Sequence, residues 1–189
     1  LYGAVLAFNV KVLPDAEEEA KTRKVPIFRH NIIYHLVDDY LRWMQRERET
    51  RERGEFERLI RPAKIRILPG YVFRRAKPAI VGVEVLAGTI KPRLRLVDEN
   101  GKDIGEILQI QDRGKAIPAA EKGAQVAISI DRPIVGRHIN EGDILYVSVP
   151  ESHARKLLSE FSKRLSPDEI ECLNELSKIM SQKKLFWGR

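Results

Sequence analysis

Six cations stand between Arg61 and Val83 with no acidic residue among them: Arg61, Lys64, Arg66, Arg74, Arg75 and Lys77, with Tyr71 and Phe73 interleaved. On a strand, Lys64 and Arg66 share one face, away from Ile65 and Ile67. Such a cluster suits contacts to phosphate oxygens, the interactions that dominate affinity for nucleic acids. It suits equally well a barrel exterior whose Lys and Arg are simply solvated. Two more basic groups sit at loop tips, Asp112-Arg113-Gly114-Lys115 and Gly136-Arg137-His138, and loop tips are where binding residues often lie. His138 fits a structural turn role as readily as a contact.

Catalytic chemistry has little support. The sequence contains no GxxxxGK[ST], GxGxxG, GxSxG, HExxH or CxxC pattern. His30 and His35 are spaced i, i+5, so on one helix they would not share a face and would not make a metal pair. Asp38 and Asp39 are adjacent and would diverge on a helix, which rules against a carboxylate dyad. Cys172 lies beside an apolar stripe as a small packing residue. No residue is assigned a catalytic or metal-binding role, and the single cysteine excludes an internal disulfide.

The charge is uneven. The 189 residues carry a formal net charge of +7. Residues 1–45 balance, and so does the run Arg46–Ile60 with five Arg and five Glu; the whole excess follows that run. The imbalance points to a polyanionic partner for the later part of the chain, RNA or DNA. No run of 18 apolar residues is present, so no membrane span is expected.

These groups need elements to hold them. The central one is a helix from His30 to Arg61, about 45 Å long at 1.5 Å per residue. Ile32, Ile33, Leu36, Val37, Tyr40, Leu41 and Met44 give its first half an apolar face. From Gln45 it becomes a solvated connector, with Glu47/Arg51 and Glu49/Arg53 at i, i+4 and Gly54 as a weak point. Before it, Ala4 to Val10 is apolar on both faces, like a strand covered on both sides; Pro14-Asp15 stops that strand and caps a short helix; Lys24 to Phe28 is a second strand. Strand, helix, strand, helix implies a parallel sheet. Two strands bury too little, so this reads as the second half of an α/β/α sandwich whose first half is missing.

After Pro62 the pattern becomes short strands and tight turns: Ala63 to Leu68, Tyr71 to Arg74, Ile80 to Leu86, Leu94 to Val97, Ile104 to Gln111, Ala124 to Ile130 and Ile144 to Val149, with an Asn100-Gly101 hairpin signal. That is an antiparallel barrel. Two helices close the chain, joined at Ser166-Pro167-Asp168-Glu169, a capping box. Their stripes either pack on each other and on the barrel, or leave a seam for a partner's apolar segment. The expected division is therefore 1–44, a connector over 45–61, a barrel over 62–150, a helix pair over 151–182 and a tail over 183–189, with Phe186 and Trp187 a lid or a free end.

AFNVKV with IFRHNIIYHLVDDY resembles the third domain of the archaeal and eukaryotic initiation factor 5B family, related to bacterial initiation factor two. KIRILPGYVF, GVEVLAGTIKP, VGRHINEGDIL and the closing helices resemble its fourth. The resemblance implies the C-terminal half of a cytoplasmic translation GTPase that promotes ribosomal subunit joining, with a barrel of the translational-GTPase type and with GTP and magnesium held by a G domain absent from these residues. It implies that the barrel meets the acceptor end of initiator Met-tRNA through Arg113, Lys115, Arg137 and His138, with Arg74 and Arg75 added from the basic cluster. It implies that Leu158, Phe161, Leu165, Ile170 and Leu173 take the C-terminal tail of initiation factor 1A, and that the long helix works as a lever. The rival reading is a stand-alone basic barrel that binds RNA, such as a ribosomal protein.

Overall fold

In the computed structural model, which describes residues 3–182, the opening pattern gives strand β1 (Val5–Phe8), helix α1 (Pro14–Thr22), strand β2 (Ile27–His30) and helix α2 (Ile33–Arg58). The expectations for residues 1–2 and for the tail 183–189 lie outside the described residues. The chain divides into two units, Leu1–Glu57 and Arg58–Arg189.

In the first unit β1 and β2 pair in parallel, Val5 with Ile27 through Phe8 with His30. Phe28 meets Tyr40 and Trp43 of α2 at ring-centroid distances of 6.2 and 5.7 Å, which seats the helix on the sheet. The apolar core is nevertheless small: Ala7 and Leu36 are its buried hydrophobic residues. Strand β1 is not covered on both faces as expected. Val5, Leu6 and Phe8 are 46–47% exposed, because one neighbouring strand and two helices cannot enclose it.

Local chemistry corrects three further expectations. Helix α1 starts at Pro14 with Leu13 as N-cap, so Asp15 lies inside the first turn instead of capping it; proline's fixed φ suits the first helical position. His30 belongs to β2, not to the helix, so its ring meets that of His35 edge to face at 5.8 Å, and its Nε2 lies 2.6 Å from Asp39. Along α2, Arg48–Glu52 and Arg53–Glu57 pair, while Glu49 accepts from Gln45 and does not meet Arg53. Gly54 lies within the continuous helix.

The second unit is built on strands β3 (Lys64–Arg74), β4 (Ala79–Ala87), β5 (Thr89–Ile90), β6 (Arg95–Val97), β7 (Asp103–Asp112), β8 (Lys115–Ile117), β9 (Ala120–Glu121), β10 (Gln125–Ile130) and β11 (Ile144–Val147). Six of them close a ring in the order β3, β4, β10, β7, β6, β11 and back to β3, every pairing antiparallel. Alternation makes the core: Val81, Val83 and Val85 of β4 point in, as do Ile65 and Ile67 of β3 and Ile128 and Ile130 of β10. The expected strands Ala63 to Leu68 and Tyr71 to Arg74 are one strand, β3, whose register slips between Ile67 and Val72. The Asn100-Gly101 turn joins β6 to β7, with Asp98 Oδ1 accepting from the N–H groups of Asn100 and Lys102.

Helices α3 (Glu151–Ser159) and α4 (Pro167–Ser181), linked through a 3-10 turn, end the second unit. Ser166 and Glu169 form the expected capping box. Gly88 fastens α4 to the barrel: its N–H donates to Asp168 Oδ2 at 2.9 Å. It has φ +65, and a Cβ there would press on the Pro62 carbonyl oxygen. Gly88→Ala should destabilise the second unit by about 2 kcal/mol or more, strain adding to a weakened helix contact; a denaturant midpoint equal to that of the parent chain would contradict the close fit.

Candidate nucleic-acid interface and helix seam

The basic residues of the second unit sort by whether a carboxylate already holds them. Lys64 pairs with Glu175, Arg66 with Glu84, Arg95 with Asp103, Lys122 with Asp168, and Arg61 approaches Glu169 at 3.6 Å. Among the described residues Arg74, Arg75, Lys77, Arg113, Lys115 and Arg137 have no such partner. The basic cluster that is continuous in sequence is thus split. Its first three members are engaged inside the fold, and its last three keep their donors for an external anion.

These six form two groups, and Lys91, Arg93, Lys102 and Lys163 are further cations of this unit with no carboxylate partner among the described residues. Arg113 and Gly114 both have positive φ, 47 and 79°, as a two-residue hairpin between β7 and β8 requires; Arg113 and Lys115 are exposed there. Arg74 and Arg75 end β3, where the Arg75 carbonyl accepts from Val135 N–H at 2.9 Å and so holds the loop that carries Arg137 and His138. His138 shapes that loop: its Nδ1 accepts from Ile134 N–H at 3.1 Å, and its own N–H donates to the Ile134 carbonyl. Register separates the groups. Arg74 pairs with Ile80, Ile80 with Ser129, and Ser129 with Gln109. Arg113 is four residues beyond Gln109 on β7, roughly 14 Å along the strand.

At the Ala87 end of β4, away from Arg74, α4 meets the barrel through carboxylates. Lys64 Nζ donates to both oxygens of Glu175 at 2.9 and 3.0 Å, and Tyr146 Oη donates to one of them at 2.9 Å. Burial, then the bond to Glu175, holds the Tyr146 phenol well above its ordinary range. Burial alone would raise the Glu175 carboxyl, but the bonds from Lys64 and Tyr146 outweigh it and its pKa lies below the ordinary 4.5. The Gly88 N–H lowers that of Asp168, helped by Ser166 and Lys122 and opposed by burial. Burial pushes the Cys172 thiol up to about 12, as befits a packing residue. No catalytic or metal motif spells out this clamp, although Asp168, Cys172, Glu175 and Leu176 stand at helical spacing and put two carboxylates beside the buried stripe of α4.

The candidate seam is mostly closed. Phe161, Leu165 and Leu173 are buried, at 3%, 7% and 0% exposure, whereas Leu158 and Ile170 are half-buried. Only the last two present side-chain surface.

The barrel is of the kind built into translation factors: residues 61–146 match the model of elongation factor Tu domain 4, and residues 2–41 match that of translation-initiation factor 2. The chain belongs to the IF-2 family of translation initiation factors. Its relatives include proteins described as "Probable translation initiation factor IF-2": that of Caldivirga maquilingensis is 56% identical over 96% of this chain, and that of Ignicoccus hospitalis is 53% identical over 99%. Each match takes in 31% of the relative, so the chain spans about three-tenths of their length. The crystal structure of GDP-bound aIF5B from Aeropyrum pernix superposes with a TM-score of 0.68 at 51% identity, over 95% of this chain and 30% of that one.

Both α4 carboxylates have depressed pKa values, so their stabilisation is complete above the unfolded-state values near 4 and fades as pH falls through the lower folded-state values. Glu175→Gln should cost about 1 kcal/mol at neutral pH and should flatten the loss of stability between pH 5 and pH 2. Denaturant unfolding followed across that range checks it; an unchanged acid limb would mean that Glu175 does not carry the linkage.

Proposed function

We propose that this chain is the binding and positioning half of a GTP-dependent initiation factor that acts when ribosomal subunits join. The barrel receives the acceptor end of initiator Met-tRNA, and the helix pair takes the C-terminal tail of initiation factor 1A. Family membership supplies the setting, the ribosome and the cytoplasm. The observation that carries the RNA reading is the set of cations left without carboxylates, at the Arg113–Lys115 hairpin and around Arg74, Arg75 and Arg137. Free guanidinium and ammonium groups can release counterions from a phosphate backbone, which ion-paired ones cannot do without first breaking a bridge.

The parts outside these residues complete the scheme. GTP and its magnesium ion belong to a G domain elsewhere in the whole protein, so nucleotide hydrolysis is not a property of this chain. The first unit is the second half of an α/β/α domain, and the apolar residues exposed on β1 and α2 are the surface that its other half covers. Helix α2, unbroken at Gly54, serves as the lever that carries rearrangements of the G domain to the barrel. For the tail of initiation factor 1A, Leu158 and Ile170 offer the first contact, and Phe161, Leu165 and Leu173 would have to part before it could go deeper.

Titration of methionylated initiator tRNA over a range of salt tests the RNA half. Replacing both Arg113 and Lys115 by Ala should weaken binding and lower the slope of log K against log salt by about 1 to 2, one unit for each phosphate no longer neutralised; an unaltered slope would remove the hairpin from the interface. Calorimetry with a peptide of the initiation factor 1A tail tests the other half. Leu158→Ala and Ile170→Ala, at half-buried positions that should leave the fold intact, are expected to weaken the peptide several-fold. Equal affinity for both variants and the parent would mean that the helix stripes serve only the core.

A further inference from the structure

Tyr71 and Phe73 stand out on the second unit. They are large aromatic side chains 55% and 63% exposed, with ring centroids 6.5 Å apart in an edge arrangement. Strand alternation turns both outward while Val72 between them packs on the barrel core. They owe their place to the register slip in β3 between Ile67 and Val72. The segment is held at both ends: Gly70 N–H donates to Glu141 at 3.0 Å, and the Arg75 carbonyl accepts from Val135 N–H. Under the first ring lies Gly82, where a Cβ would come within 2.7 Å of the Tyr71 Cβ, so only glycine lets the ring settle on the wall. The pair is therefore a positioned surface and not a frayed loop.

Cations follow the pair directly on one side, while the Glu141 carboxylate is engaged by Gly70 N–H on the other. Arg74, Arg75 and Lys77 follow directly and meet no carboxylate among the described residues. Exposed rings beside free cations match the two things that a single strand of nucleic acid offers, flat bases and phosphates.

We propose that Tyr71 and Phe73 form a stacking platform for unpaired RNA nucleotides, with Arg74, Arg75 and Lys77 holding the phosphates that join them. The platform rests on the reading of the barrel as the receiver of a tRNA acceptor end, and names where the unpaired 3′ nucleotides go. Arg113 and Lys115, roughly 14 Å away along β7, then serve the paired part of the stem. A base stacked on Phe73 needs no particular edge contacts, so the platform is indifferent to sequence and sensitive to whether the nucleotides are unpaired.

The test measures binding of the 189-residue chain to an RNA hairpin with a short unpaired 3′ extension and to the same hairpin ending blunt, by fluorescence anisotropy at low salt. The extended hairpin should bind roughly tenfold tighter, and Phe73→Ala should abolish that advantage while leaving blunt-hairpin affinity and the salt slope unchanged. Phe73→Trp should keep it. Phe73 is mostly solvent-exposed, so its replacement spares the fold; Tyr71→Ala, which empties the site over Gly82, is the second variant and its folding is checked by circular dichroism. If both alanine variants keep the preference for the extension, the platform is wrong while RNA binding stands. If the parent chain binds neither hairpin, the platform and the RNA reading fall together. If Phe73→Ala instead weakens the initiation factor 1A peptide and leaves both hairpins alone, the rings belong to a protein interface and the proposal is overturned.

Discussion

The antiparallel ladder between β7 and β10 closes the barrel, and every other feature of the second unit depends on it. Ala127 pairs with Gln111 and Ile128 with Ile110, which turns an open six-stranded sheet into a ring without edges. Closure encloses Ile107, Ile110, Ile128 and Ile130 on all sides, each at 0% exposure. Fully burying an aliphatic side chain is worth about 1.5–3 kcal/mol, so a score of such residues offsets much of the chain entropy lost on folding. The hairpins and loops that carry cations are mounted on this closed wall.

A second constraint is the use of negative charge. The second unit has more cations than carboxylates, and the fold uses carboxylates to join elements, some distant in sequence, as Glu175 with Lys64 and Asp168 with Gly88 and Lys122, and some consecutive, as Glu84 with Arg66 and Asp103 with Arg95. Each such junction removes a cation from the outward-facing set. What remains includes the cations of the β7–β8 hairpin and of the end of β3, with others such as Lys91, Arg93, Lys102 and Lys163 elsewhere on the unit. The helix pair docks at the far end of β4 from Arg74, seven residues from Ile80 to Ala87 or roughly 24 Å.

The first unit follows another logic. Its parallel β1–β2 pair and the aromatic contacts of Phe28, Tyr40 and Trp43 define its arrangement, but of the expected packing stripe of α2 Leu36 is buried while Ile32, Ile33, Val37, Leu41 and Met44 stay 43–50% exposed. On the proposal that a further part of the domain packs here, these side chains are the surface it would cover. Family relatives about three times as long as this chain supply room for such a cover.

Features set by neighbours a few residues apart were legible from the residues themselves. The strand from Ile80 to Leu86, the Asn100-Gly101 hairpin and the Ser166–Glu169 capping box each depend on local φ and ψ and on spacings of two to four, and each formed as expected. The aromatic-basic stretch from Tyr71 to Lys77 was also visible as a pattern. Which of its neighbours were free was not: Lys64 is engaged by a glutamate 111 positions later and Ile60 by His153, 93 positions later, distances at which no spacing rule applies. Likewise the apolar spacing of the two expected closing helices showed that Phe161, which lies beyond the end of α3, and Leu173 of α4 were apolar but not that they were enclosed. Periodicity determined the elements and the faces they would bury. Tertiary closure decided which charges and rings were left outside, because a side chain's partner depends on which strands and helices become neighbours in space, and that is a property of the whole chain.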